Sequence, residues 1–229
     1  MKLLASTMHH VHNVSQRNVI HRQEPIMKLF YSPGASSLPA HIVLREAGLR
    51  AELVRVDLEN KTPPATGRSY LQVTAMGKVP ALELDDGEVL TEGLAVLQYL
   101  ADLAPSSQLA PLAGSMARHR LAEASSVIAS ELHKGFAPMF DLDVPASYKR
   151  KLITGARVFE RIASMVRPGP YILGEGFTVA DAYLYPILCL RRLAGLDFSA
   201  WPSIGAYMEV VTERPAVRAA MEAEGLAAD

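Results

Sequence analysis

A short apolar strand, Lys28–Tyr31, passes through Ser32-Pro33-Gly34-Ala35 directly into an amphipathic helix, Ser36–Ala47, and no other passage constrains the fold as much. Gly48 ends that helix in the usual C-terminal position. The alternating segment Ala51–Asp57 follows as a second strand. Asn60–Arg68, with two prolines and a glycine, reads as loop. A strand over Val79–Leu84, the turn signal Asp85-Asp86-Gly87 and a returning strand over Glu88–Leu90 form a hairpin. Thr91 then caps a helix running to Leu103. This order of strands and helices specifies a small α/β domain with a mixed sheet.

Beyond Leu103 the pattern changes. Ala104–Gly114 holds two prolines and two serines and reads as an interdomain linker. Everything after it is helical in period. One long helix is predicted over Ser115–Phe140, bent near Pro138, and another over Pro145–Val166, broken by Pro168-Gly169-Pro170. An apolar helix over Thr178–Leu193 and shorter ones near Ser203–Thr212 and Arg214–Ala223 complete the chain. Thr178-Val179-Ala180-Asp181 has the spacing of a capping box, with a short acid at the third helical position. The expected units are an N-terminal extension over residues 1–26, an α/β domain over 27–106 and an all-helical domain over 107–229.

Composition narrows the function classes. Across 229 residues, 49% are hydrophobic and 21% charged, as in an ordinary soluble globular protein. A formal net charge of -1 leaves no basic footprint for nucleic acid. No apolar run reaches the roughly 18 residues of a membrane span. The one cysteine, Cys189, sits in an apolar run and reads as a small buried hydrophobe. A single cysteine permits no internal disulfide, no Cys-x-x-Cys redox pair and no cysteine zinc cluster, and it fits a reducing, cytoplasmic compartment. Residues 1–26 carry His9, His10, His12 and His21 and no acid before Glu24. Nothing nearby completes a metal site around His10 and His12, so no metal is predicted. The segment reads as an extension, or as sequence upstream of a start at Met27.

The candidate chemistry begins at the first helix. A helix N-terminus offers unpaired N–H groups and the positive end of a dipole, and so favours an anion, a thiolate included. Ser36 and Ser37 place hydroxyl donors at that point, and Tyr31 adds a third. Both serines also suit N-caps that satisfy the helix's own N–H groups, and Tyr31 equally suits packing.

Five segments in this order resemble cytosolic glutathione transferases. The first three are Tyr31-Ser32-Pro33-Gly34-Ala35-Ser36-Ser37-Leu38, Lys78-Val79-Pro80-Ala81-Leu82 and Leu90-Thr91-Glu92-Gly93-Leu94-Ala95-Val96. The other two, Glu131-Leu132-His133-Lys134-Gly135-Phe136 and Phe177-Thr178-Val179-Ala180-Asp181-Ala182-Tyr183-Leu184, are similar to the bacterial beta class in particular. The resemblance spans Met27 to about Leu226. It implies a thioredoxin-like domain followed by a helical bundle, glutathione as co-substrate, a homodimer, and detoxification by transfer of glutathione sulfur to small hydrophobic electrophiles. One departure matters: beta-class members usually carry cysteine where this chain has Ser36. A serine hydroxyl cannot form a mixed disulfide, but it can donate a hydrogen bond to sulfur, as in the theta-like arrangement.

The resemblance also implies roles for individual residues. Val79-Pro80 would be a cis pair whose backbone takes up the cysteinyl part of glutathione by strand addition. Glu92 would accept from the γ-glutamyl ammonium, and N–H groups around Gly93 would hold its carboxylate. Lys61 matches a lysine near the glycyl carboxylate, although it equally reads as a solvated loop lysine. Ser126, Ser130 and His133 share a helix face by the i, i+4, i+7 rule. His133 resembles a histidine that approaches the sulfur, Ser126 stands where relatives often have asparagine, and Glu131 would reach the glutathione of a neighbouring subunit. Phe136, Met139 and Phe140 suit either an electrophile pocket or the core. Thr178 and Asp181 are assigned to folding. A glutathione-dependent dehalogenase, ether lyase or peroxidase, and a non-catalytic glutathione- or hydrophobe-binding protein, stay open as alternatives.

Overall fold

The computed structural model describes residues 27–60, 69–140, 143–147, 156–166, 168–191, 195 and 197–226. The expected extension over residues 1–26, with its histidines, lies outside them. So do residues 61–68 of the expected loop, residues 148–155 of the helix predicted over Pro145–Val166, and the end of the helix predicted to reach Leu193.

Four strands form one sheet: β1 (Met27–Tyr31), β2 (Ala51–Arg55), β3 (Ala81–Glu83) and β4 (Val89–Thr91), in the order β2-β1-β3-β4. β1 and β2 are parallel, with Leu29 opposite Leu53. Parallel neighbours need a crossover, which α1 (Leu38–Glu46) supplies. β3 runs antiparallel to β1 and β4 antiparallel to β3, so the sheet is mixed, as the element order specifies. Lys28 and Glu83, opposite each other, pair at 3.0 Å. β3 starts at Ala81 rather than Val79, since Pro80 has no N–H to give the ladder. Thr91 is the last residue of β4, so it does not cap the next helix, α2 (Gly93–Leu103); Glu92 occupies that position.

α1 departs from the amphipathic expectation. Leu38 through Leu44 are all buried, His41 among them. The reason lies in its place: α1 packs against the sheet and α2 on one side and against two helices of the second domain on the other. Its end follows the sequence, with Gly48 at φ 65° and Leu49 N–H bonded to Leu44 C=O at 2.9 Å.

The second domain is helical: α3 (Met116–Val127), α4 (Ala156–Val166), α5 (Val179–Cys189), α6 (Pro202–Thr212) and α7 (Pro215–Ala223). Ser115 caps α3, its Oγ accepting from Arg118 N–H at 3.1 Å. The single long helix predicted to Phe140 is not uniform. At Ile128 it widens into a π turn, Ile128–His133, then passes through a short α segment, Lys134–Phe136, to a 3₁₀ turn, Ala137–Phe140. α5 is buried from Val179 to Leu188 and forms the axis of the domain. The capping box at its start is made: Thr178 N–H and hydroxyl each donate to Asp181 Oδ2 at 2.8 Å. Ile172 N–H donates to the other carboxylate oxygen at 2.9 Å.

One continuous core joins the two units through α1, α2 and α5, and a smaller cluster of Phe30, Val54, Val56, Tyr70, Val79 and Ala81 fills the opposite face of the sheet. Arg214 locks the units from the rim. Its guanidinium donates to both oxygens of Glu46 at 2.6 and 2.8 Å and stacks 4.1 Å from the Phe177 ring centroid.

Candidate active site

The turn between β1 and α1 is tied on three sides. Ala35 N–H bonds back to Ser32 C=O at 3.0 Å. The Ser37 hydroxyl accepts from Ser32 N–H at 3.1 Å and lies 3.3 Å from Ser32 C=O, to which it donates. Ser37 is 0% exposed, so its oxygen serves the turn and faces no ligand. Its side chain does not cap α1. Gly34, at φ 68°, sends its N–H to Glu224 Oε2 at 3.0 Å. Glu224 Oε1 in turn holds His41 Nδ1 at 2.9 Å, and Arg45 Nε donates to His41 Nε2 at 3.1 Å. A Cβ at Gly34 would stand 3.3 Å from Leu226 Cδ2, so the residues after α7 press directly on the turn.

Ser36 behaves differently from its neighbour. It is half-buried, and its hydroxyl donates to Val79 C=O at 2.6 Å. The Val79–Pro80 bond is cis. Two segments distant in sequence, the start of α1 and the approach to β3, are thus joined by one hydroxyl. Tyr70 supports the same approach, its OH donating to Lys78 C=O at 2.7 Å; burial pushes the ionisation of that phenol up. The N–H groups of Ser36 and Ser37 have no hydrogen-bond partner among the described residues. Hydroxyl and amides together make the anion-favouring corner that a helix start provides. Tyr31 lies next to it, its ring centroid 6.3 Å from that of His41, and its hydroxyl has no hydrogen-bond partner among the described residues.

Glu92 and Gly93 stand at the start of α2. Glu92 is exposed and takes φ 67°, a left-handed conformation that costs a non-glycine residue on the order of 1–3 kcal/mol and that clusters at functional sites. Across the domain boundary, His133 Nδ1 lies 2.8 Å from Tyr183 OH, with the rings edge to face at 5.7 Å. Burial lowers the pKa of His133. Burial, with the Glu92 charge nearby, pushes the Tyr183 phenol up to about 12. The start of α2 and the His133–Tyr183 pair are therefore neighbours.

Other predicted residues are not gathered here. Ser126 and Ser130 are exposed, and their hydroxyls donate to the helix's own carbonyls, Ala122 at 2.8 Å and Ser126 at 2.9 Å. Glu131 is exposed too. The shared i, i+4, i+7 face is broken because the π turn adds a residue to its coil and rotates His133 inward, away from the serines. Phe136 is buried in the core and Met139 packs against it, so both take the packing role. Lys61 and the Phe140 side chain lie outside the described residues. A cavity of about 870 Å³ opens at the linker, bordered by Ala101, Pro105, Leu112, Leu173 and Thr178; none of the candidate residues lines it.

Three contributors were not among the predicted residues: Glu224, His41 and Tyr183. Glu224 bonds to a residue 190 positions away and follows a helix of mixed polarity, so no local pattern marks it. Tyr183 sits inside one of the resembling segments, and its spacing from His133 is visible only in three dimensions.

Residues 35–103 match the family described as Glutathione S-transferase, N-terminal domain, and residues 127–215 its C-terminal domain. The chain is 43% identical over 201 residues to glutathione S-transferase GstA of Escherichia coli O157:H7, covering 87% of this chain and 100% of that protein. It superposes with TM-score 0.83 and 45% identity on the ternary complex of BphK, a bacterial GST, covering 87% and 100% of the two chains. A sphingomonad glutathione S-transferase complexed with glutathione aligns with TM-score 0.82 and 43% identity over the same shares.

Proposed function

The chain belongs to the glutathione S-transferase family, and from that premise we propose that it conjugates glutathione to small hydrophobic electrophiles with the Ser36 hydroxyl, not a cysteine, activating the thiol. The protein is a glutathione transferase of the bacterial type; the serine mechanism and the electrophile class are the new part of this reading. The observation that carries it is the 2.6 Å bond from Ser36 Oγ to Val79 C=O. It puts a hydroxyl donor, a helix start and the backbone edge before β3 in one corner.

A free thiol ionises near ~8.5, and helix N-termini with nearby donors lower that to roughly 6.5–7. Ser36 would turn its O–H from the Val79 carbonyl to the sulfur when glutathione arrives, freeing that carbonyl for the cysteinyl N–H of the tripeptide. The unpaired N–H groups of Ser36 and Ser37 add to the same field. Glu92 takes the γ-glutamyl ammonium and the amides at Gly93 its carboxylate. His133 donates to the sulfur from the helical domain, while Lys61 is assigned the glycyl end. Ser126 at the end of α3 and Ser130 and Glu131 in the π turn are exposed and suited to contact with a second copy of the chain. That supports a homodimer in which Glu131 reaches the neighbour's glutathione. The assigned compartment is the cytoplasm. Catalysis is pKa lowering and positioning.

The test is conjugation of glutathione to an activated aryl chloride, with the bound thiol titrated by its ultraviolet absorbance. The expected result is turnover with a bound pKa below that of free glutathione. Binding without turnover, or a bound pKa at the free value, rejects thiol activation at this corner.

A further inference from the structure

We propose that Tyr183 is a positioning residue that holds His133 as the Nε2–H tautomer, so that the imidazole offers the bound sulfur a proton donor and not a base. The inference rests on the reading of His133 given above and extends it to a residue that touches neither sulfur nor electrophile.

The argument starts from the 2.8 Å contact between His133 Nδ1 and Tyr183 OH. Either atom could hold the proton between them. Tyr183 is 6% exposed, and Nδ1 is the hydrogen-bond partner of its hydroxyl among the described residues. If Nδ1–H donated to the phenol oxygen, the phenol's own hydrogen would be buried with no acceptor, which costs about as much as a lost hydrogen bond or more. The favourable arrangement is therefore O–H to Nδ1. Tyr183 is also kept un-ionised by burial and by the Glu92 charge, so it always has that hydrogen to give. With Nδ1 occupied as an acceptor, the proton of a neutral imidazole must sit on Nε2. Nε2 has no hydrogen-bond partner among the described residues, and so it is the donor left over.

The fold makes this lock from parts that do not otherwise meet. Tyr183 projects from α5, the buried axis of the second domain, where its rotation is restricted by packing. His133 ends the π turn, whose wider coil carries the ring round to α5. The edge-to-face ring contact at 81° holds the imidazole plane, while the hydrogen bond to Nδ1 sets the tautomer. A hydroxyl on one rigid element thus sets the proton position on a side chain of another.

The experiment is long-range proton–nitrogen NMR of histidine side chains in the full chain, with His133 identified by the signals that vanish in His133→Asn. In the glutathione-free protein His133 should show one fixed tautomer, protonated at Nε2 and bare at Nδ1. In Tyr183→Phe its signals should move toward the average of the two tautomers. kcat for conjugation should fall about two- to tenfold, the loss of one neutral hydrogen bond, while KM for glutathione changes little. A proton on Nδ1 in the unaltered protein, or an unchanged tautomer in Tyr183→Phe, overturns the proposal. The tautomer is read without glutathione. A fixed Nε2–H imidazole in a protein that conjugates nothing would therefore uphold this inference and reject the transferase mechanism instead.

Discussion

The turn at Ser32–Ser37 and the π turn at Ile128–His133 both bring polar side chains to an irregular start or break in a helix, yet they are held in opposite ways. The first is tied to its own backbone by Ser37 and to the far end of the chain by Glu224. Its Ser36 hydroxyl is joined to a third segment at Val79. The second has a hydroxyl, Ser130, that bonds back along its own helix, as Ser126 does just before it, and among the described residues its side-chain hydrogen bond to another element is His133 to Tyr183. The difference teaches where side-chain chemistry is set. In the first region, adjacent serines divide into one that ties its own turn and one that reaches another segment, according to which way a tight turn aims them. In the second, a change of helical coil decides which of several polar residues leaves the surface.

The largest expected effect tests the bracing of the first region. Glu224 is buried, with Gly34 N–H and His41 as partners. Glu224→Ala leaves both of these N–H donors unpaired, at about 1–3 kcal/mol each. Urea unfolding should show that loss. A change under about 1 kcal/mol, the ordinary range for surface positions, would mean that Ser37 alone holds the turn and that the long-range tie is incidental.

Next come the two serines, compared directly. Ser36→Ala removes a hydrogen bond to a charged sulfur, worth about 1.5–3 kcal/mol, so conjugation at neutral pH should slow about tenfold or more. The pKa of bound glutathione should rise with it. Ser36→Cys should gain thiol–disulfide exchange, for which the natural hydroxyl has no chemistry. Ser37→Ala should do the reverse of Ser36→Ala. It strands Ser32 N–H, at about 1–3 kcal/mol of fold stability, with no direct effect on the thiol pKa. If the two variants exchange these signatures, the assignment of reactive and structural serine is inverted.

What could be read from the sequence follows the same divide. The β1–turn–α1 unit, the Asp85-Asp86-Gly87 hairpin and the Thr178–Asp181 capping box rest on contacts a few residues apart, and the structure makes each of them. The family and its two-domain fold were legible because five local motifs survive in order. The sequence did not reveal that α1 would be covered on all sides, because its second cover is α5 and α7, more than a hundred residues on. Nor did it reveal the π turn: Ile128-Ala129-Ser130-Glu131-Leu132-His133 has the composition of a regular helix, and nothing local marks the extra residue in the coil. Glu224 and Tyr183 were missed for the same reason, since their partners lie 190 and 50 positions away.

The smallest expected effect concerns the second region and separates two titrations of opposite sign. Burial lowers the pKa of His133 below the ordinary value of 6.5, so the folded protein binds that proton more weakly than the unfolded chain does. Above pH 6.5 the imidazole is neutral in both states and exacts no penalty. As pH falls below it, the unfolded histidine gains a proton that the folded one resists, and stability is lost progressively until pH has passed the lowered native value. Asp181 acts the other way. Burial raises its carboxyl to about 6, against donated hydrogen bonds from Ile172, Thr178 and Tyr207 that pull it back. Its proton is bound more tightly in the folded state, so its contribution is full at low pH and disappears as pH rises through about 6. The whole-protein profile over this interval mixes the two, and its slope alone assigns neither. The difference between the unaltered protein and His133→Gln cancels the Asp181 part. The gap in urea midpoint should be constant above pH 6.5 and should shift in favour of the variant as pH falls toward about 5. A gap that stays constant throughout would mean that His133 is solvated enough to protonate in place. The π turn would then hold its donor no more firmly than it holds Ser130.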